Sequence, residues 1–239
     1  MTLNPKLDSS CVLCLPFEED SGSIAYDQSL YNNNGTIYGA TRTLGKLRKA
    51  LSFDGVDDYV QIPYSTSIEQ RDKVSFLCWF KCSDVSKESY LYVRDTGSGT
   101  GENLYVRIYN GYVWFYLAGT SNAGWHQSVS QVFNAIWYHL AVTYDRNVGK
   151  GRLYLNGLLD KEINSTGSME ASTNPATIGK RINSFWYEGI VDEVRLYNRA
   201  LSAKEIYEHY IYGIQSLRRP RLREFRKEVR RKLWPEISV

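Results

Sequence analysis

Val74-Ser-Phe-Leu-Cys-Trp-Phe-Lys-Cys82 alternates side by side: Val74, Phe76, Cys78, Phe80 and Cys82 fall on one face of an extended strand, and Ser75, Leu77, Trp79 and Lys81 on the other. Tyr138-His-Leu-Ala-Val-Thr-Tyr144 and Gly151-Arg-Leu-Tyr-Leu-Asn-Gly157 have the same period of two. About a dozen such runs separated by turns fill the chain from Cys11 to Tyr210, with no helical pattern before Ser202. Asp54-Gly55 breaks one run before Asp57-Asp58 leads into the next, and Asn156-Gly157 is the strongest hairpin signal. The expected fold is an all-β, antiparallel, two-sheet sandwich.

Ser202-Ala-Lys-Glu205 has the form of a capping box, with Leu201 and Ile206 spaced as a hydrophobic staple, so a helix is expected from Ala203. Gly213 suits its left-handed C-terminal cap. A sandwich of this kind accommodates most of the 239 residues as one unit. The expected division is a sandwich over 1–210 and a C-terminal helical extension over 211–239.

Composition narrows the classes. Fourteen per cent aromatics, 19 of them Tyr, favours half-buried pleated surfaces. No apolar run approaches the roughly 20 residues of a membrane-spanning helix. The opening Met1-Thr-Leu-Asn-Pro-Lys-Leu-Asp8 lacks the charged start and apolar segment of a signal peptide, so synthesis and retention in the cytoplasm, or release by a non-classical route, are expected. Cys11 and Cys14 have C-x-x-C spacing, but in a regular strand positions three apart face opposite ways. Cys78 and Cys82 share a face about 13 Å apart. Four free, buried thiols are the expectation.

The charge is split. Residues 215–239 hold nine Arg/Lys against three Glu, a net +6, while the rest of the chain is net −3. Within that tail Leu222, Phe225, Val229 and Leu233 recur at helical spacing, flanked by Arg226, Arg230 and other cations. A protein groove, an anionic membrane surface and nucleic acid all suit a basic amphipathic helix. The preferred partner is a larger protein assembly, anchored through Leu222, Phe225, Arg226, Val229, Arg230 and Leu233; docking back on the acidic body is the alternative.

Five ordered segments carry a resemblance. They are Val12-Leu-Cys-Leu-Pro-Phe-Glu-Glu-Asp-Ser-Gly22, Asp27-Gln-Ser-Leu-Tyr-Asn-Asn-Asn-Gly-Thr-Ile37 and Lys49-Ala-Leu-Ser-Phe-Asp-Gly-Val-Asp-Asp-Tyr-Val-Gln-Ile-Pro63, then Trp137–Asp145 with Leu153–Gly157, and Gly189–Ser202. Over roughly residues 10–210 the chain resembles the laminin-G-like, concanavalin A-like jelly-roll family, with Leu30 standing where that family has Gly. The resemblance implies a jelly-roll sandwich and a calcium ion at its edge, held by Asp27, Asn32 and Asp192. Calcium favours such oxygen donors. The other reading of Asp27 and the Asn32–Asn34 run is simple Asx turns.

Some relatives in this family hydrolyse polysaccharides with two carboxylates on one strand face. Here Asp192 and Glu193 are adjacent and so point apart, and Glu188 stands about 13 Å from Asp192. No Gly-x-Ser-x-Gly, phosphate-loop or His-Glu-x-x-His pattern is present. The expected function is therefore non-catalytic: a lectin-like binding or adhesion module on a virion, phage or similar particle surface. A free carbohydrate-binding module is the alternative. For a glycan the candidates are Tyr112, Trp114 and Tyr116 on one strand face, with Trp125 in the following loop, while Val113, Phe115 and Leu117 face the core. The competing reading of that row is cover by the second sheet or by another subunit of a homo-oligomer.

Overall fold

In the computed structural model, which describes residues 8–94, 103–181 and 184–216, the chain forms two eight-stranded sheets packed face to face. The first sheet runs, in spatial order, Leu158–Asn164, Lys150–Leu155, Tyr138–Asp145, Lys73–Cys82, Glu188–Tyr197, Lys49–Asp54 and Thr41–Leu44, with Cys11–Leu15 also paired to Glu188–Tyr197. The second runs Trp125–Gln127, Tyr112–Leu117, Leu104–Tyr109, Ser89–Arg94, Ala176–Ile178, Tyr59–Ile62, Gly35–Tyr38 and Ile24–Ala25. Lys73–Cys82 lies between strands that come much later in the chain, so the sheet is closed by long crossovers rather than by hairpins alone. The expected antiparallel sandwich is the observed one.

The inward faces meet in a single apolar core. Phe76, Phe80, Cys78, Val142, Leu153 and Leu196 from the first sheet face Tyr92, Val106, Ile108, Phe115 and Ile178 from the second, all at most 2 % exposed. Phe76 and Tyr92 meet across the layers with ring centroids 4.8 Å apart. The Asn156-Gly157 turn has both residues at positive φ (51° and 79°), the type I′ geometry that right-twisted hairpins favour. Asn110-Gly111 makes the same turn between Leu104–Tyr109 and Tyr112–Leu117.

Two features depart from a regular reading. First, a bulge separates the Cys11 and Leu13 pairings, and it brings Cys11 onto the same outer face as Cys14. The two thiols are buried in one cluster there, with Cys11 Sγ donating to the Leu13 carbonyl at 3.4 Å, so the opposite-face expectation is corrected; all four cysteines are free and buried. Second, the helix runs Ala203–Ser216, continuing through Gly213 and across the expected 210/211 boundary. The cap at its start is as expected: Ser202 N donates to Glu205 Oε2 at 2.8 Å, and Glu205 N to Ser202 Oγ at 3.3 Å. Leu201 and Ile206 are buried together. Gly213 is no left-handed cap; a Cβ there would stand 2.5 Å from the Trp79 ring, so the glycine lets the helix lie on the sheet.

That helix covers the outer face of the first sheet. Trp79 stacks on Tyr210 (5.8 Å) and tilts against His139 (5.2 Å), and Tyr197 Oη lies 3.2 Å from His209 Nε2. Leu47, Leu77, Trp79, His139, Glu193, Arg195, His209 and Tyr212 enclose a small void between helix and sheet. His139 is 2 % exposed, and its Nδ1 has no hydrogen-bond partner among the described residues. Burial, reinforced by Arg195, holds its pKa down at about 3. Burial likewise holds His209 down, to about 2, with Arg195 and His139 adding to the effect.

A stability consequence follows from the sign of these shifts. Above the ordinary histidine pKa of about 6.5 these histidines are neutral in both states and their contribution to stability is fully present. Below it the unfolded chain takes up protons that the native state refuses until about pH 3, so stability falls as pH falls. Urea midpoints from pH 7 to 4 are expected to fall, with His139 contributing up to about 1.4 kcal/mol per pH unit. His139→Leu should remove about one proton from that slope; an unchanged slope contradicts a buried neutral His139.

Candidate functional site

On the outer face of the second sheet, antiparallel pairing sets Trp114 opposite Arg107 and places Tyr116 between Tyr105 and Trp125. Alternation along Tyr112–Leu117 turns Val113, Phe115 and Leu117 into the core and leaves Tyr112, Trp114 and Tyr116 half-buried on the outside. Tyr116 and Trp125 lie 5.4 Å apart, Tyr105 and Tyr116 5.5 Å, and Tyr105 and Trp125 5.9 Å. The four residues expected from sequence are thus carried by two adjoining strands on one face. The second sheet's inner partner does not cover them.

Sequence reasoning missed the charged centre of this cluster. The Arg107 guanidinium sits 3.7 Å over the Trp125 ring, 5.4 Å from that of Trp114 and 5.5 Å from that of Tyr109. Its Nη1 is paired to Glu88, which also accepts from Tyr90 Oη at 2.7 Å. Arg107 Nε has no hydrogen-bond partner among the described residues. The alternation that turns Trp114 outward also turns Arg107 and Tyr109 outward in the partner strand and sets Tyr105, only 1 % exposed, beneath the rings, so continuing it across the Asn110-Gly111 turn would have found Arg107. A short hairpin, Lys180–Arg181 with Phe185–Trp186, extends the aromatic surface, with Phe185 against Tyr90 at 5.8 Å. Stacked rings with a cation and a carboxylate between them match what a sugar offers: an apolar ring face and a rim of hydroxyls.

The expected calcium ligands have separate partners. Asp27 Oδ1 accepts from Cys14 N and Ser29 N, and Oδ2 from Ser29 Oγ and Asn33 N, at 2.6–2.9 Å. Its lone pairs are therefore taken up in fastening the Asn-rich loop to the first strand, the Asx-turn alternative. Asn32 is exposed at φ 55° and serves that loop's turn. Asp192 lies on the other sheet, fully buried, with Oδ2 accepting from Leu47 N at 2.8 Å. A Cβ on Gly45 would stand 2.5 Å from Oδ2 and 2.8 Å from the Lys49 carbonyl oxygen, so glycine makes room for the carboxyl. Oδ1 has no hydrogen-bond partner among the described residues. Burial, with Glu193 and Glu18 nearby, raises this carboxyl's pKa to about 8 against the Leu47 hydrogen bond.

The three carboxylates weighed for hydrolysis are dispersed. Glu188 reaches Lys87 (3.4 Å), Glu193 is paired to Arg195 (2.7 Å), and Asp192 is sealed beneath Leu47. The anchoring residues Leu222, Phe225, Arg226, Val229, Arg230 and Leu233 lie outside the described residues.

Comparison with known proteins follows this geometry. Residues 54–207 match the family model described as the concanavalin A-like lectin/glucanases superfamily. No curated protein matches the sequence. Among solved structures, domain 4 of AbnA is similar; it belongs to a GH43 extracellular arabinanase from Geobacillus stearothermophilus and was solved with arabinotriose. It has a TM-score of 0.66 and 16 % identity, with 83 % of this chain and 97 % of that one covered. The receptor-binding domain of botulinum neurotoxin D is similar at TM-score 0.68 and 15 % identity, covering 86 % of this chain and 53 % of that one. So is the binding domain of Paraclostridial Mosquitocidal Protein 1, at TM-score 0.67 and 15 % identity, covering 86 % and 52 %. The chain thus spans about half the length of the two toxin domains.

Substitution of Asp192 separates its two readings. With no ion, the native state keeps this carboxyl protonated up to about pH 8 while the unfolded chain ionises above about 3.8, so wild-type stability is eroded as pH rises through that window. Asp192→Asn is expected to melt higher than wild type in chelator at pH 7.5, with the gap shrinking by pH 5. A calcium-dependent rise in wild-type melting temperature that Asp192→Asn abolishes would instead place an ion on Asp192.

Proposed function

This chain belongs to the concanavalin A-like lectin/glucanases superfamily, and from that footing we propose that it is a non-catalytic glycan-binding module. The ligand lies on the outer face of the second sheet. The observation that carries this reading is the half-buried Trp114–Tyr116–Trp125 cluster built around Arg107 and Glu88. Rings take the apolar face of a pyranose or furanose, while the arginine and glutamate supply donors and acceptors to its hydroxyls. The similarity to an arabinanase domain solved with arabinotriose, nearly complete on both sides, supports a sugar ligand. The non-catalytic part is supported by the dispersal of Glu188, Asp192 and Glu193 into separate contacts.

Trp114→Ala and Trp125→Ala are expected to weaken binding of an arabinan or other captured oligosaccharide about tenfold or more, equivalent to about 1.4 kcal/mol each. Trp137→Ala, remote from the cluster in the first sheet's loop, should leave binding unchanged. Glycan arrays followed by calorimetry check this, with circular dichroism to establish that each variant is folded. Full binding by both tryptophan variants rejects the site.

The setting we propose is the surface of a virion or other particle, reached from the cytoplasm and held through the basic stretch 217–239. Its support is the charge split, +6 against −3, and the apolar stripe from Leu222 to Leu233. Deleting 217–239 is expected to abolish incorporation into the particle while glycan binding by the sandwich persists. Unchanged incorporation refutes the anchoring role.

A further inference from the structure

The outer face of the second sheet carries another set of rings at its far side. Tyr38 and Tyr59 are directly paired on neighbouring strands and stack with centroids 4.4 Å apart and planes within 10°. Trp186, from the short hairpin, leans against Tyr59 at 6.1 Å. The Lys180 ammonium lies 3.3 Å from the Tyr59 centroid and 5.5 Å from that of Trp186. Since Tyr38 occupies one face of Tyr59, the ammonium takes the other, and Tyr38 keeps an outer face that is 42 % exposed.

The backbone holds this lysine in place. Gly179, at φ +91°, takes a conformation that side-chain-bearing residues avoid, and a Cβ there would strike the Phe53 ring at 2.6 Å. Thr177 Oγ1 donates to the Lys180 carbonyl, and Tyr187 N donates to the Gly179 carbonyl, fixing the turn that puts Lys180 over Tyr59.

What the ammonium lacks is an anion. Arg42, Arg107 and Arg195 have one, in Glu19, Glu88 and Glu193, whereas Lys180 shares its lack of a carboxylate among the described residues with Lys46, which lies over Trp79 on the opposite sheet. No carboxylate among the described residues pairs with Lys180, and burial alone shifts its pKa, downward. In the neighbouring acidic turn Asp54 Oδ1 accepts from Val56 N and Asp58 Oδ2 from Asp54 N, and with Asp57 they form a group of three carboxylates within 4.8 Å of one another, none of which pairs with Lys180. Ring faces offset part of the ammonium's lost hydration, but its three N–H donors still call for an acceptor.

A row of rings connects this place to the first cluster. Trp125 meets Tyr90 at 6.1 Å, Tyr90 meets Phe185 at 5.8 Å, and Trp186 follows Phe185 in sequence and meets Tyr59. Five strand spacings of about 4.8 Å separate the Trp114 strand from the Tyr38 strand, roughly 24 Å. One sugar unit does not span that distance, so a ligand touching both ends is a linear chain. Acid groups repeated along such a chain reach Lys180 in any register.

We propose that Tyr38, Tyr59, Trp186 and Lys180 form a second subsite, which takes a uronic-acid unit of a linear glycan whose other units lie on the Trp114–Trp125 cluster. The inference rests on the glycan-binding reading and adds to it the charge and length of the ligand. The test is calorimetry on the full chain with two uronate hexasaccharides, galacturonate and mannuronate, each beside its carboxyl-reduced neutral counterpart at low salt. At least one uronate should bind tenfold or more tighter than its neutral form, with the advantage fading as salt rises. Lys180→Met should bring the charged-to-neutral ratio to about one, and Tyr38→Ala should weaken both forms. Near-UV circular dichroism monitors folding of both variants. Equal binding of charged and neutral chains, failure of both uronates to bind, or a preference that survives Lys180→Met overturns the inference. Neutral binding that depends on Trp114 would survive any of these and leave the glycan-binding reading standing, whereas uronate binding insensitive to Trp114→Ala would move the ligand off the first cluster.

Discussion

The strand Glu188–Tyr197 pairs along its length with Lys73–Cys82, but on its other side it changes partner midway. Glu188–Val191 pair with Lys49–Asp54, and Val194–Tyr197 with Cys11–Leu15. The exchange takes place at a bulge, with Glu193 at φ 52°, and Asp192 is buried beside it. A bulge bends and twists the strand that carries it, and here it lets one strand tie the chain's first strand, its middle and the approach to its last helix into one sheet. If that strand were straight, Arg195 and Tyr197 would not lie beneath the helix and Asp192 would not meet the Leu47 amide.

This sheet is thereby closed on both faces, by the core within and by the helix over Trp79, His139 and Tyr197 without. The second sheet has only its inner face covered by a full layer. The aromatic side chains on its outer face are therefore covered by one another and by the short strands Lys180–Arg181 and Phe185–Trp186 rather than by a packed layer, which seals Tyr90 and Tyr105 and leaves Tyr112, Trp114, Tyr116 and Trp125 half-buried. Such a surface is rigid, apolar in patches and dotted with cations, which suits capture of a sugar chain without reaction. The arrangement also explains why titratable groups with strongly shifted pKa values do not mark the binding face here. His139, His209 and Asp192 are shifted because they are buried on the structural side.

Much of this was legible in the residues. Period-two alternation gave the strand faces, including the outward set Tyr112, Trp114 and Tyr116, because a strand side chain has only two directions. The Ser202–Glu205 cap was legible because its partners are local. What escaped was set by distant contacts. The Val12 bulge that unites Cys11 with Cys14, and Gly213 packed on Trp79, depend on neighbours far away in sequence. Asp27 looked equally fit for a metal or a turn, and of the four donors that decide it three come from Ser29 and Asn33 in its own loop and one from Cys14 on another strand. Arg107 and Lys180 were hidden for a similar reason: a lone cation in a strand says nothing until the rings above it are placed.

The most direct test is to watch the indole N–H resonances of the six tryptophans while an oligosaccharide is titrated in. Binding on the outer face of the second sheet requires Trp114 and Trp125 to shift together and saturably, joined by Trp186 where the chain reaches the second subsite, with Trp79, sealed beneath the helix, unmoved. Shifts confined to Trp79 or Trp137 would put the ligand on the opposite sheet and contradict the account.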